Sequence, residues 1–267
     1  MEYRGHQLSA NVSMLFTELP YPERFAAAAR AGFTTVESWW PFAVPDPPAA
    51  ELDAFVQSVE AAGVSLSALN FYGGDIPAGE RGVASHPDRQ DQLAANVRAV
   101  VAIAERTGCR LFNLLYGQLD DRWSPSLQAD TAVEAIRSAA AAVSHLGGTV
   151  LIEPLTKGLN GNYPLLTADD VLAILHGPLK DVDNVSLLFD TFHLGSNGVD
   201  LIETATTLGA GLAHVQLADS PGRGEPGSGA LPLTQTLDAL KTAGYQGLVA
   251  CEYKPTTDTT SSLSWLD

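Results

Sequence analysis

Four apolar segments in the second half of the sequence each end on a side chain that can ligate a hard metal ion. They are Glu153 in TVLIEPL, Asp190 in VSLLFDTFH, Gln216 in LAHVQLAD and Glu252 in GLVACEYKP. A carboxylate or carboxamide buried alone at the end of an apolar strand is costly, so four of them at successive strands point to a shared partner. Three carboxylates and one amide oxygen form a hard oxygen set. It suits Mg2+ or Mn2+ and is poorly matched to a dedicated zinc site.

Positioning four such residues together requires a fold that aligns strand ends. Eight strand candidates run along the chain: LSANVS from Leu8, TTVESW from Thr34, VSLSALNF from Val64, RLFNLLYG from Arg110, TVLIEPL from Thr149, VSLLFDTF from Val185, LAHVQLAD from Leu212 and GLVACEYK from Gly247. Between them lie Ala-rich amphipathic runs such as AELDAFVQSVEAAG and QDQLAANVRAVVAIAERTG. Several end at a glycine just before the next strand, as at Gly32, Gly63, Gly108 and Gly244, where a left-handed residue can stop a helix. A strand followed by a helix must cross over before the next strand pairs, so the repeat predicts a parallel sheet. An open doubly wound sheet would carry a glycine-rich phosphate turn after its first strand, and NVSMLFTELP stands there instead. The expected fold is α/β, a single (β/α)8 TIM barrel spanning residues 1–267. In such barrels the active site forms at the carboxyl ends of the strands. Glu153, Asp190, Gln216 and Glu252 would then converge from strands five to eight, with PFAVPDPP and SPGRGEPGSGALP as loops on the same rim.

Composition narrows the partners. The chain has 267 residues, is 45% hydrophobic, and carries a formal net charge of -16. That charge repels nucleic acid and anionic membrane surfaces. It also disfavours long-range steering of an acidic ligand, which must be held by local cations such as Arg223, Lys254 or a metal. Cys109 and Cys251 read as two reduced core thiols in a reducing compartment. The start MEYRGHQLSANVS lacks a basic region followed by an apolar run, so a soluble, cytoplasmic location is expected.

Further candidates surround the four. Arg223, in the loop after strand seven, can grip a carboxylate with two prongs and is the candidate for the acidic end of a substrate. Lys254 follows Glu252 by two residues and would share its face. His214, two residues before Gln216, would face the same side one layer deeper. Asn70 on strand three, Tyr116 on strand four and Glu37 near the end of strand two would complete the rim. Trp39, Trp40 and Phe42 form either an apolar wall of the site or a surface buried in a homo-oligomer. The adjacent Glu80 and Arg81 read as a local brace of the third loop.

NVSMLFTELPYPERFAAAARAGFTTVE, GDIPAGERGVASHP, DTFH, HVQLAD and GYQGLVACEYKP occur in this order along nearly the whole chain. In them the sequence resembles the hydroxypyruvate isomerases of the xylose-isomerase-like TIM-barrel group. The resemblance implies Glu153 and Glu252 as the proton donor and acceptor pair, and Glu153, Asp190, Gln216 and Glu252 as the set for a divalent metal, Mg2+ or Mn2+. It implies interconversion of hydroxypyruvate and tartronate semialdehyde, or of a close analogue such as a 2-oxo-tetronate. By similarity to related ketose epimerases, His193 would contact substrate oxygens. The chain departs from the family in the loop after strand seven. There GRGEPGSGALPL has Gly224 where the family has His and Ala230 where it has Glu. The departure leaves the substrate open among a small hydroxy-oxo acid, a free ketose acted on by a 3-epimerase, and a sugar bound without catalysis.

Overall fold

A computed structural model describes residues 1–266, so the last residue of the 1–267 reading, Asp267, lies outside the described residues. Eight parallel strands form the barrel: β1 (His6–Asn11), β2 (Thr35–Ser38), β3 (Ser65–Asn70), β4 (Leu111–Asn113), β5 (Thr149–Ile152), β6 (Val185–Asp190), β7 (His214–Leu217) and β8 (Val249–Cys251). Each pairs with its neighbour in sequence, and β1 also pairs with β8 through Leu8–Val249, Ser9–Ala250 and Ala10–Cys251, which closes the ring. All eight sequence-predicted strands are present. The single (β/α)8 barrel is therefore the fold.

Helices α1 (Arg24–Arg30), α2 (Ala49–Ala62), α3 (Gln90–Thr107), α4 (Pro125–Ser144), α5 (Ala168–His176), α6 (Thr191–Ser196), α7 (Leu201–Leu208) and α8 (Leu233–Thr242) pack outside the strands. Their buried residues recur at helical spacing, as Phe55, Val56 and Val59 in α2 and Leu93, Val100, Ile103 and Ala104 in α3. These meet buried strand residues such as Val36, Leu66, Phe112 and Val215 to make the core between sheet and helices. Gly63 and Gly108 end α2 and α3 in the left-handed region, at φ 67° and 75°, where a side chain would be strained. At the other end, Ser124 caps α4 by accepting from the Leu127 N–H, and Thr167 with Asp170 forms a capping box on α5.

Register decides which polar residues share a level. Asn11 lies opposite Glu37, and Asp190 opposite Gln216. Both cysteines are free and buried. No helix among the described residues is long and apolar enough to cross a membrane.

Candidate active site

The strands end earlier than the apolar runs in the sequence, and the ends fall where the chemistry begins. Asp190 is the last residue of β6, while Glu153 and Glu252 stand one residue past β5 and β8. Asp190 also caps α6: its Oδ1 accepts from the His193 N–H at 3.0 Å. The three-residue spacing in DTFH is therefore N-cap geometry. It turns His193 back over the strand ends and leaves Asp190 Oδ2 free for the site.

The side chains converge as the barrel reading requires. Glu153 Oε2 accepts from Asn113 Nδ2 at 2.7 Å. His193 Nε2 lies 3.6 Å from Glu153 Oε1 and 3.8 Å from Asp190 Oδ2. Arg223 Nη2 donates to Asp190 Oδ2 at 3.3 Å and also to Glu252 Oε2, which ties strands six and eight together. Glu252 Oε1 accepts from Asn11 Nδ2 at 2.9 Å and from Trp39 Nε1 at 2.5 Å. Gln216 Nε2 donates to Glu37 Oε1 at 2.8 Å. Glu37 accepts in addition from Asn11 Nδ2 at 2.8 Å and pairs with His214 Nε2 at 2.5 Å.

A cavity of about 330 Å3 opens above this cluster, with Glu153, His193, Arg223 and Glu252 on its floor and Trp39, Trp40 and Phe42 on its wall. The aromatic triplet is thus part of the site. Asn70 lines the cavity as expected, whereas Asp190 and Gln216, both buried, are absent from its lining. Arg223 holds a left-handed backbone, φ 57°, and its carbonyl accepts from the Lys254 N–H at 2.7 Å. A positive φ is unfavourable for a residue with a side chain and recurs at functional positions. Here it aims a guanidinium inward from a surface loop. The Arg223 guanidinium also stacks on Phe192, 5.3 Å from the ring centre.

Two candidates lie elsewhere. Lys254 is exposed and absent from the cavity lining, because β8 stops at Cys251 and strand alternation no longer governs which way residue 254 faces. Tyr116 is buried three residues beyond the end of β4, its N–H donating to the Tyr163 hydroxyl, and it does not line the cavity. Conversely, sequence reasoning missed Asn11 and Asn113, which position the two glutamates. Both are terminal residues of their strands, so the rule that found Glu153 and Glu252 would have found them in the first half of the chain. Arg81 and Asn160 also line the cavity.

The electrostatics show what the cluster lacks. Glu37, Glu153, Asp190 and Glu252 are between 1 and 4% exposed, and the cation set among them is Arg223. His193 adds no charge, since the Thr156 backbone N–H donates to its Nδ1 at 2.9 Å and burial drives its pKa down to about 3. Burial first, then the Asp190 charge, pushes Glu153 up to about 8. Burial likewise raises Glu252 well above the ordinary carboxylate range, against the pull of Arg223. The site carries excess negative charge that must be met by protons or by a cation. One atom points to the cation: the Gln216 amide must turn its NH2 to the Glu37 carboxylate, an acceptor, and this leaves Oε1 buried without a partner. Glu153, Asp190 and His193 offer ligand atoms within 4.8 Å of one another. A divalent ion fits the carboxylate oxygens of this cluster.

The raised carboxyls make stability depend on pH. An unfolded chain has lost the Glu153 proton above about pH 4.3, while the folded chain keeps it until about pH 8. Folded-state stability therefore falls as pH rises through this window, by about 1.4 kcal/mol per pH unit for each retained proton. Below about pH 6.5 His193 acts oppositely, because the unfolded imidazole takes up a proton that the folded one refuses. In EDTA the thermal midpoint should drop between about pH 6.5 and pH 8, and Glu153→Gln should reduce the slope. Added Mn2+, which competes with those protons, should raise the midpoint more at pH 8 than at pH 6. A midpoint independent of pH and of Mn2+ would contradict this charge account.

Known proteins share both fold and sequence. A family model described as "Xylose isomerase-like TIM barrel" matches residues 25–267. A Streptomyces coelicolor protein provisionally named hydroxypyruvate isomerase is 42% identical over 271 residues, covering 100% of this chain and 97% of that protein. A 2-oxo-tetronate isomerase of Haemophilus influenzae is 32% identical, covering 97% of each. Among solved structures, one titled as an AP endonuclease, family 2, from Brucella melitensis superposes with a TM-score of 0.87 at 30% identity, covering 97% of each chain. With matches of this extent over a closed barrel whose acids meet at the strand ends, the chain belongs to the hydroxypyruvate isomerase family of the xylose isomerase-like TIM barrels.

Proposed function

We infer that this protein interconverts a small 3-hydroxy-2-oxo acid and its 2-hydroxy-3-oxo isomer, with hydroxypyruvate and tartronate semialdehyde as the reference pair and a 2-oxo-tetronate, whose isomer is the 3-oxo acid, as the longer analogue. The observation that carries this reading is the placement of Glu153 and Glu252 on the floor of one cavity, at the ends of β5 and β8. One glutamate takes a proton from C3 of hydroxypyruvate, leaving an enediolate across C2 and C3. A proton returned to C2, with the hydroxyl proton moved from the C3 oxygen to the C2 oxygen, gives the aldehyde. Two carboxyls with raised pKa suit this exchange: Glu153, at about 8, can hold or release a proton near neutrality, and burial raises Glu252 as well.

His193 supports the same step. Its Nδ1 accepts from the Thr156 N–H, so the proton of the neutral ring sits on Nε2, the nitrogen that faces Glu153 and Asp190. That N–H can hydrogen-bond a substrate oxygen as negative charge develops on it. A ring nitrogen that keeps its proton is a poor metal ligand, which leaves the oxygens of Glu153, Asp190, Gln216 and Glu252 as the metal set. A Mg2+ or Mn2+ ion held there would supply charge neutralisation for the enediolate. Asn113 fixes Glu153, and Asn11, Trp39 and Arg223 fix Glu252, so both acids are held before substrate arrives.

The chain's net charge of -16 does not suit nucleic acid as a substrate, and the two buried free thiols suit a reducing cytoplasm. Incubating the purified protein with hydroxypyruvate, and separately with a 2-oxo-tetronate, while following the new C2 proton of each product by NMR, and the aldehyde proton for hydroxypyruvate, tests the assignment. Appearance of the aldehyde from hydroxypyruvate, or of the 3-oxo acid from the 2-oxo-tetronate, supports it. Conversion of free ketoses to their 3-epimers, with neither acid consumed, would replace it with the epimerase reading.

A further inference from the structure

A hydroxy-oxo acid brings a carboxylate into a cavity whose floor is already acidic, so some cation must face its acid end. Arg223 already faces two acids: its Nη2 donates to both Asp190 and Glu252, so its charge offsets theirs even though its Nε is left without a partner. Arg81, from the loop after β3, lines the same cavity and forms no ion pair among the described residues. In a chain with 31 acidic residues against 15 basic ones, a half-buried guanidinium without an acid partner is an unusual placement.

The Arg81 side chain is nonetheless fixed. Its Nε donates to Asn160 Oδ1 at 2.9 Å, and its Nη1 to the carbonyls of Ile76 at 3.0 Å and Glu80 at 2.7 Å. Nε and Nη1 are thus occupied, and among the described residues Nη2 has no protein acceptor, so its two N–H groups stay available. Asn160 in turn donates to the Thr156 carbonyl at 2.9 Å, and Thr156 binds His193 Nδ1. A continuous hydrogen-bonded path thus fixes Arg81 relative to the histidine that faces Glu153. The loop bearing it is braced by the Glu80–Arg89 ion pair at 2.9 Å. Burial and the nearby Arg223 charge both lower the Arg81 pKa, as befits a cation that lacks a counter-ion.

We propose that Arg81 is the receptor for the substrate carboxylate, and that its fixed guanidinium makes the enzyme selective for hydroxy-oxo acids over uncharged hydroxyketones. The proposal rests on the isomerase reading for its substrate class, but the role of Arg81 as an anion receptor is measurable without turnover. A preformed charge-assisted contact that needs no rotamer search favours the carboxylate ligand and is indifferent to its neutral analogue.

The test compares hydroxypyruvate with dihydroxyacetone, which has CH2OH in place of the carboxylate, in the wild-type protein and in Arg81→Gln and Arg81→Lys. Binding of D-glycerate and of glycerol to each protein is measured by calorimetry. Arg81→Gln is expected to lower kcat/KM for hydroxypyruvate and to weaken D-glycerate binding by about 10- to 100-fold, with dihydroxyacetone turnover nearly unchanged. Arg81→Lys, which keeps the charge and loses the hydrogen bonds that fix the guanidinium, should fall between. Equal losses on both substrates, or unchanged D-glycerate binding in Arg81→Gln, would show a loop brace and overturn the proposal. If the wild-type protein turns over neither substrate, the isomerase reading fails, yet weaker D-glycerate binding in Arg81→Gln would still uphold the anion receptor.

Discussion

Replacing either Glu153 or Glu252 by Gln is expected to lower kcat for the isomerisation by about 100- to 10,000-fold, the range for removing a positioned acid or base. The amide keeps the size and most of the hydrogen bonding of each site. Its oxygen at position 153 could still accept from Asn113, and at position 252 from Asn11 and Trp39, so the floor of the cavity should keep its shape. Affinity for D-glycerate should therefore change little while turnover collapses, which marks a group acting in the transition state more than in ground-state binding. Parallel assays of kcat and of D-glycerate binding on the two variants check this. A variant that keeps most of its kcat would remove that glutamate from the proton path.

The second large effect is expected at a residue that never meets the substrate. Glu37 accepts hydrogen bonds from Asn11, His214 and Gln216, all buried, and Asn11 in turn holds Glu252. Glu37→Ala strips three buried polar groups of their shared acceptor and should destabilise the fold by about 3–5 kcal/mol, as when one partner of a buried pair is removed. Urea denaturation of the variant against the wild type measures this. The same substitution frees the Gln216 amide to rotate and loosens Glu252, so divalent-metal affinity should fall as well. A loss of stability under about 1 kcal/mol would mean that the network is replaced by water at little cost.

Much of this arrangement was legible in the sequence, for a definable reason. Eight strands alternating with helices, several of which stop at a glycine, impose a closed parallel barrel, and a barrel gathers its strand ends. Glu153, Asp190, Gln216 and Glu252 needed no further information to be brought together. Strand alternation worked where the strand was real: His214 and Gln216 are both within β7, and both reach Glu37. It failed for Lys254, three residues past the end of β8, where the chain has left the pleat. Pairings across the barrel were not legible, since Glu37 meets His214 across 177 positions and Asn11 meets Glu252 across 241. Arg81 shows a different limit. Beside Glu80 in sequence it read as half of a local ion pair, but Glu80 pairs with Arg89 instead and Arg81 turns to the cavity. Which of two adjacent charges braces a loop depends on the path of that loop, and a loop of this length has no periodicity from which to infer it.

Hydrogen exchange at carbon tests the central claim most directly, because it reports proton abstraction whatever the final product. Hydroxypyruvate incubated in D2O with the protein and Mn2+, then freed of metal for NMR, should show deuterium at C3 in the recovered acid and at C2 in the aldehyde. The C2 signal of the aldehyde should vanish in Glu153→Gln and in Glu252→Gln, and the C3 signal in the variant that lacks the glutamate serving C3. Absence of exchange by the wild-type protein, across hydroxypyruvate and its four-carbon analogue alike, would contradict proton transfer between these two glutamates.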